Sequence, residues 1–344
     1  VHVHVNEPGR TEWEGFDTAT LAAAAGGTTT IIDMPLNASP VTTTLEAFQQ
    51  KLKASKEKLN VNAGFYAGLV PGNATHLDEL LQSGVVGVKC FLTHSGIDEF
   101  PNVTEKDLDK AMPVIAKYNL PLLAHCELYD EEVTSDFENH PTSYQHYLAS
   151  RPKKWENDAI HLMIRMCRKH NCPVHIVHVA SAEALSQIQA AKDEGLPITA
   201  ETCTQYIYFT AEEIPDAKTI YKCAPPIREK ANNEQLKLAF TSGVLDFMTT
   251  DHSPAPPSTK EIETGNLKKA WGGIAGIQFL LNGSWTALKD TLSIEKFIPL
   301  VTSKPAEFIK AHQKGTIEIG KDADFVIWNP EESTVITEEA IHFR

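Results

Sequence analysis

Hydrophobic and polar positions along the chain follow two periods, one typical of strands and one of helices. The first five residues alternate valine with histidine, so His2 and His4 point to one face of an extended segment. Residues 28–34 are a β-branched run that predicts a second strand. Between them, residues 11–14 have the form of a capping box and predict a helix that ends at residues 26–27. The first predicted unit is therefore strand, helix, strand.

The same alternation continues along the rest of the chain. Helical patterns cover residues 45–59, 78–82, 105–118, 157–170 and 181–194, and strand patterns cover residues 61–69, 85–92, 120–125, 174–179, 198–201 and 245–250. About eight strands joined by connections too long for hairpins favour a parallel barrel over a doubly wound sheet. The predicted fold class is α/β, a (β/α)8 TIM-like barrel over residues 1–312.

Composition narrows the possible partners. The 344 residues are 42% hydrophobic and 22% charged, which indicates a globular chain with a large core. A net charge of −14 without any dense basic run argues against nucleic acid or an anionic membrane as partner. No charged-then-apolar leader precedes residue 1 and no apolar run reaches membrane-spanning length, so we expect a cytoplasmic location, with a leader lost before the first strand as the alternative. The six cysteines lack Cys-x-x-Cys spacing and are expected to be reduced, mostly buried thiols.

Metal-ligand residue types fall at the ends of five predicted strands. In a barrel, the carboxyl ends of the strands form the active face. Histidine and carboxylate ligands suit Zn²⁺ or a similar divalent ion, and a lysine within an apolar strand is costly to bury without a role. The candidate ligands are His2, His4, Lys89, His125, His178 and Asp251.

Each candidate also has a purely structural explanation. The two histidines of the first strand could be exposed polar residues, Lys89 could extend its amine to solvent, His125 could bond to backbone inside the core, and Asp251 could belong to a turn. Together, at the same end of consecutive strands, these explanations become improbable. His175 lies an odd number of positions from His178 and is expected to face the other side of its strand, so only His178 is assigned to the site.

These residues, in this order on these strands, resemble the binuclear metal centre of the amidohydrolase superfamily, in the cyclic amidase branch that holds dihydroorotases, hydantoinases and allantoinases. The likeness covers nearly the whole chain. Within that branch the allantoinases are the most similar, through the motifs at residues 4–15, 33–37, 201–203, 222–228 and 251–254.

The resemblance implies two divalent metal ions, with Zn²⁺ the expected ion. His2, His4 and Asp251 would hold one ion, His125 and His178 the other, and Lys89, carboxylated by CO2, would bridge both through its carbamate. A water between two cations has a much lowered pKa and attacks the amide carbonyl as hydroxide. Asp251 would take its proton and pass it to the leaving ring nitrogen. The implied reaction is hydrolytic ring opening of a cyclic amide, with allantoin as substrate and allantoate as product.

The choice of substrate depends on residues whose patterns are less specific than those of the candidate metal ligands. The resemblance places Asn6 where dihydroorotases usually carry a carboxylate-binding arginine, which disfavours an anionic substrate. His94 stands where many hydantoinases have a tyrosine. Substrate contacts are expected from His94, Asn37 and Ser253 and from the peptide groups at Ala224 and Gly272, although each could also be ordinary loop structure.

The resemblance also predicts a second, smaller unit at residues 313–344. Residues 315–328 have the pattern of two short strands joined by a turn and resemble the family segment that returns to a small β-sandwich beside the barrel. Sandwich strands that the family places before His2 and after this segment lie outside the sequence, so we expect a partial sandwich. A homo-oligomer, dimer or tetramer, is expected. Two alternatives stay open: a hydantoinase or dihydropyrimidinase, and a non-catalytic scaffold of the dihydropyrimidinase-related kind.

Overall fold

The structure, a computed structural model, describes residues 1–130 and 135–344. Its strands are β1 Thr30–Asp33, β2 Asn62–Phe65, β3 Ala67–Gly68, β4 Val88–Phe91, β5 Leu122–His125, β6 Val174–Ile176, β7 Ile198–Cys203 and β8 Phe247–Thr249. Its α-helices are α1 Phe16–Ala25, α2 Leu45–Ser55, α3 Leu77–Gln82, α4 Glu105–Lys117, α5 Tyr144–Ser150, α6 Lys153–His170, α7 Leu185–Asp193, α8 Thr204–Tyr208, α9 Lys230–Ser242, α10 Leu280–Leu288, α11 Ile294–Val301 and α12 Ser303–Phe308.

The strands form a parallel barrel that is closed by a single residue. β1 pairs with β2, and β3 to β8 pair in sequence order, all in parallel register. β2 and β3 are two parts of one bent strand on either side of Tyr66, whose backbone N–H donates to the Asp33 carbonyl. Val3 bridges Asp33 at the end of β1 and His252 just after β8. The first five residues thus take the first strand position with one bridging residue rather than a full strand, and the predicted fold class is confirmed.

Side-chain alternation along the strands separates an inner core from an outer one. On β4, Val88 and Cys90 face the helices, whereas Phe91 packs inside the barrel with Ile32 and Leu123. The outer core is the larger and holds the apolar faces of the helices against the strands. The inside of the barrel is therefore filled with side chains.

The start of α1 differs from the prediction. The helix begins at Phe16 rather than after Thr11, because the Glu7 carboxylate accepts the Phe16 backbone N–H at 2.9 Å and so satisfies a donor of the first turn. Residues 11–13 form turns instead. A carboxylate nine positions upstream replaces the local capping box, and the local motif could not reveal it.

The two strands predicted within residues 315–328 do not form. The side chains of Ile317, Ile319 and Ile327 are exposed, and in the described part of the chain β8 is the last strand. A strand is held by hydrogen bonds to a neighbour, and a lone hairpin is marginal without further strands against it. The segment instead lies along the barrel wall, where the ring of Trp328 packs edge-to-face on that of Trp285 at 6.0 Å. A separate domain at residues 313–344 stays a prediction.

Two further sequence expectations can be compared with the described residues. All six cysteines are unpaired and buried, as expected for reduced thiols. No helix in the described ranges has both the length and the apolar character that crossing a bilayer requires.

Candidate metal centre

His2 and His4 lie on the extended segment that closes the barrel, and each imidazole is held by its Nδ1 atom. His2 Nδ1 lies 2.5 Å from Glu201 Oε1, and His4 Nδ1 donates to the Leu36 carbonyl at 2.9 Å. A hydrogen bond at Nδ1 fixes the tautomer and leaves Nε2 as a free lone pair. Both Nε2 atoms therefore point toward the same place, as metal-ligating histidines do.

Asp251 occupies that place. Its Oδ1 atom lies 3.1 Å from His2 Nε2 and 3.2 Å from His4 Nε2. The residue follows β8 and has a φ of +46°, a left-handed conformation that alters the direction of the side chain at the strand end. Burial acts to raise the pKa of this carboxyl, but His2 and His4 outweigh it and hold the pKa well below its usual range.

Lys89 lies inside the barrel on β4 with its amine fully buried. Within the described residues, Nζ has no hydrogen-bond partner and lies 5.0 Å from the centre of the Phe91 ring. Burial lowers the pKa of the amine, because an ammonium without compensating contacts is unfavourable there. An orphaned buried amine fits a side chain that carries a further group in the working protein.

His125 and His178 form the second pair of imidazoles. His125 ends β5, and its Nε2 lies 2.8 Å from Glu127 Oε2 while its Nδ1 lies 3.0 Å from His178 Nε2. Arg151 holds Glu127 in turn through its guanidinium. Burial lowers the pKa of both imidazoles. Both rings are therefore neutral imidazoles with nitrogen atoms facing each other.

The predicted orientation of His175, away from the inside of the barrel, was wrong. His175 does not face the outside of β6; it lies inside the barrel, with Nε2 3.2 Å from Glu201 Oε2 and its ring stacked at 5.2 Å on Phe247. His178 follows the end of β6 with a φ of +41°, so strand parity no longer applies to it. The turn, and not the alternation, brings His178 to the cavity.

The measured separations fit ligand sets for divalent ions. Two ligands that each lie about 2.0–2.1 Å from one ion, at angles of about 90–110°, are roughly 2.8–3.4 Å apart. The contacts within the group of His2, His4 and Asp251 are 3.1 and 3.2 Å, and the contact between His125 and His178 is 3.0 Å. The rings of His2 and His178 are 5.5 Å apart, so the two sets are neighbours.

One cavity of about 320 Å³ collects these residues at the carboxyl end of the barrel. It is lined by every residue predicted for the site: His2, His4, Lys89, His125, His178, Asp251, Asn37, His94, Ala224, Ser253 and Gly272. A larger groove of about 2090 Å³ lies between the barrel wall and residues 323–344, and its lining includes none of these residues. The small cavity is the candidate functional site.

The Amidohydrolase family model matches residues 1–342. This chain belongs to the amidohydrolase family. The family predicted from the sequence is thereby confirmed.

Curated relatives of this amidohydrolase are similar over its full length. The allantoinase of Arabidopsis thaliana is 42% identical over 358 residues, covering 100% of this chain and 71% of the relative. The allantoinase of Saccharomyces cerevisiae is 40% identical over 348 residues, covering 100% of this chain and 75% of the relative.

Solved structures with the same fold include hydantoinases. The L-hydantoinase of Arthrobacter aurescens superposes with a TM-score of 0.86 at 30% identity, covering 94% of this chain and 73% of that one. A D-hydantoinase superposes with a TM-score of 0.87 at 27% identity, covering 100% of this chain and 77% of that one.

Several residues of the amidohydrolase site were missed by sequence reasoning. Glu201 and Glu127 orient histidines, and Arg151 and Lys222 line the cavity. Glu201 and Lys222 stand within motifs that carried the family resemblance, but nothing local assigns them a contact. The opposite charges of their partners hold the pKa of each glutamate well below its usual range. Burial opposes this shift and is outweighed.

Asn6 lies behind the cavity wall, whereas His94 lines the cavity. Asn6 is fully buried and does not line the cavity; its Oδ1 accepts from Asn37 Nδ2 at 3.2 Å. It therefore acts on the wall through Asn37. His94 lines the cavity at an exposed position, where its Nε2 lies 3.3 Å from Asp98. Asn6 has a φ of +65°, and the extended pattern of the first strand does not encode this turn.

Proposed function

We propose that this amidohydrolase opens the ring of allantoin by hydrolysis and releases allantoate. The observation that carries the proposal is the meeting of His2, His4 and Asp251 with His125 and His178 at one cavity. The likeness to curated allantoinases supports the choice of substrate. In the reaction, the ring C–N amide bond breaks, the oxygen of water joins the carbonyl carbon, the nitrogen gains a proton and one further proton is released.

The residues present fit two divalent ions, with Zn²⁺ favoured because neutral imidazoles and a carboxylate dominate the donor set. His2, His4 and Asp251 would hold one ion, and His125 and His178 the other. Lys89, whose buried amine has no hydrogen-bond partner among the described residues, would carry a CO2-derived carbamate shared by both. When bound, such ions lower the pKa of the attacking water and polarise the amide carbonyl.

Asp251 is assigned the proton transfer. Its carboxylate is held between two imidazoles that favour the ionised form, so it is available as a base. It takes a proton from the attacking water and gives it to the ring nitrogen as the C–N bond breaks. In this reaction no side chain forms a covalent bond with the substrate.

The cavity walls are assigned the recognition of a small neutral ring. Asn37, Ser253 and His94 supply side-chain hydrogen-bonding groups, and Ala224 and Gly272 supply peptide groups. A side-chain carbon at Gly272 would lie 3.8 Å from Ala224 Cβ, so these two peptide segments are close together. A volume of about 320 Å³ suits a ligand of this size.

Hydantoinase or dihydropyrimidinase activity is the second candidate, and the fold shared with solved hydantoinases favours it. A non-catalytic scaffold is the third, and the full set of predicted ligands at the cavity argues against it. The homo-oligomeric state, dimer or tetramer, and the cytoplasmic location stay predictions.

The deciding experiment compares ring opening of allantoin, hydantoin, dihydrouracil and dihydroorotate by protein loaded with Zn²⁺ in bicarbonate, with metal content measured on the same sample. Allantoate formation with about two metal ions per chain is expected. Two metal ions with turnover of another ring alone would keep the mechanism and reject allantoin. A sample that holds metal but opens no ring would favour the scaffold.

A further inference from the structure

Lys222 lines the candidate cavity, and no carboxylate in the described part of the chain forms an ion pair with its amine. Its Nζ donates to the Ala270 carbonyl at 2.5 Å and lies 3.4 Å from the Lys268 carbonyl. The centre of the Tyr147 ring is 5.5 Å away. A lysine has three N–H donors, so the strong contact with Ala270 leaves capacity for a ligand.

A second lysine fixes the backbone around Lys222. Lys260 is only 7% exposed, and its Nζ donates to the carbonyls of Lys222, Trp271 and Gly273 at 3.2, 3.0 and 2.7 Å. The Gly273 backbone N–H also donates to the Lys222 carbonyl at 2.9 Å. All three donors of Lys260 are used. Lys260 therefore holds the backbone at Lys222 against the loop of residues 271–273. The Lys222 side chain therefore starts from a fixed position.

The contacts of Lys222 belong to the wall of the cavity and not to the metal centre. Tyr147 and Ala270 are wall residues, and neither is among the predicted ligands. Lys222 also lies two residues before Ala224, which approaches Gly272. A substrate whose scissile amide lies at the metal ligands would thus meet Lys222 with another part of its structure.

Electrostatics favours a polar ligand at this position. Burial, together with the neighbouring cations Arg151 and Lys260, lowers the pKa of Lys222 to about 7. An acceptor oxygen placed against the amine would offset this desolvation, because hydrogen bonds from a charged donor are stronger than neutral ones. The wall is therefore complementary to a carbonyl-bearing group.

We propose that Lys222 is a specificity-determining residue that donates a hydrogen bond to a carbonyl oxygen on the substrate substituent remote from the scissile amide. The inference rests on the proposed function, in which this substituent is the ureido arm of allantoin. Hydantoin has the same ring without the arm, so it cannot make this contact. Lys222 thus selects rings that bear an acceptor arm.

The test compares wild-type protein with Lys222→Met and Lys222→Arg, all loaded with Zn²⁺ in bicarbonate. For Lys222→Met, kcat/KM with allantoin should fall about 10- to 100-fold, mainly through KM. The constant for hydantoin, measured as KM or as Ki against allantoin, should change less than about twofold. Lys222→Arg should recover part of the loss, and metal content should stay unchanged. Lys218→Met, an exposed lysine in the same segment, is the matched control and should behave as wild type.

An equal loss for allantoin and hydantoin would overturn the proposal and leave Lys222 as a structural support. Failure of the proposed function is seen separately, because wild-type protein with two metal ions would then open no allantoin. In that case the same variants are compared on substituted and unsubstituted forms of the ring that wild type opens. A selective loss for the substituted ring supports the role of Lys222, and an equal loss rejects it.

Discussion

His125 Nδ1 lies 3.0 Å from His178 Nε2, at the ends of two strands, β5 and β6, that pair in parallel. Two neutral imidazoles present nitrogens to each other at the spacing of neighbouring ligands on one ion. The arrangement depends on Glu127, which binds the other nitrogen of His125 and is itself held by Arg151. The orientation of the second ligand set is therefore set by a carboxylate outside it.

Glu127→Gln should weaken the second metal position. The amide keeps the shape of the side chain but removes the charge that holds the proton on His125 Nε2, and loss of such a partner typically weakens metal affinity about 10- to 100-fold. Metal per chain, measured after dialysis against a fixed free Zn²⁺ concentration, should fall from about two toward one. Glu138→Gln, at an exposed glutamate, is the control. Unchanged occupancy in Glu127→Gln would contradict the orienting role.

Asp251→Asn should abolish turnover while the barrel stays folded. The amide cannot accept and return the proton, and loss of a general acid and base costs about 10²–10⁴-fold in rate. Steady-state kinetics and circular dichroism would be measured together with metal content, since Asp251 also contacts His2 and His4. Activity retained in a variant that still holds its metal would reject the proton transfer by Asp251.

Lys89→Ala should lose metal and activity together. A carbamate on Lys89 would supply oxygens to both ligand sets, and alanine has no atom that can take up CO2. Wild-type protein supplied with ¹³C-bicarbonate should give a carbamate carbon signal that Lys89→Ala lacks. Full metal occupancy in Lys89→Ala would show that the lysine is not a shared ligand.

Glu156 should make stability depend on pH. Burial raises the pKa of this carboxyl to about 7, although Arg228 and the backbone N–H groups of Ala180 and Ser181 act in the opposite direction. The folded state therefore keeps this proton to a higher pH than the unfolded chain. Its contribution to stability is fully present below the ordinary value of 4.5 and is lost as the pH rises through about 7.

Glu156→Gln removes this titration and keeps an oxygen that can accept the two backbone N–H groups. Urea unfolding between pH 5 and pH 8 should show that wild type loses up to about 3 kcal/mol more stability than the variant over this interval. Parallel profiles for the two proteins would show that Glu156 does not titrate there.

The local pattern was sufficient for the barrel strands β1 to β8 and for the positions of most candidate ligands on them, but not for the two strands expected within residues 315–328. A period of two placed His2 and His4 together, and Lys89 and His125 fall on the inner face of their strands because the same alternation applies inside a barrel. The βα period itself indicated a parallel barrel. Each of these inferences uses geometry that neighbouring residues determine by themselves.

The tertiary structure decided those features of the fold and the site that depend on residues distant in the chain or on a single backbone angle. Glu7 rather than the local motif begins α1, and the positive φ of His178 brings it to the cavity against strand parity. The contact of Glu127 with Arg151, and the three carbonyls held by Lys260, join segments far apart in the chain. The sequence by itself determined the barrel and the strand ends that carry the candidate ligands, because both follow from periodicity. The tertiary structure alone decided the contacts that orient these side chains, because such contacts form only when the chain has folded.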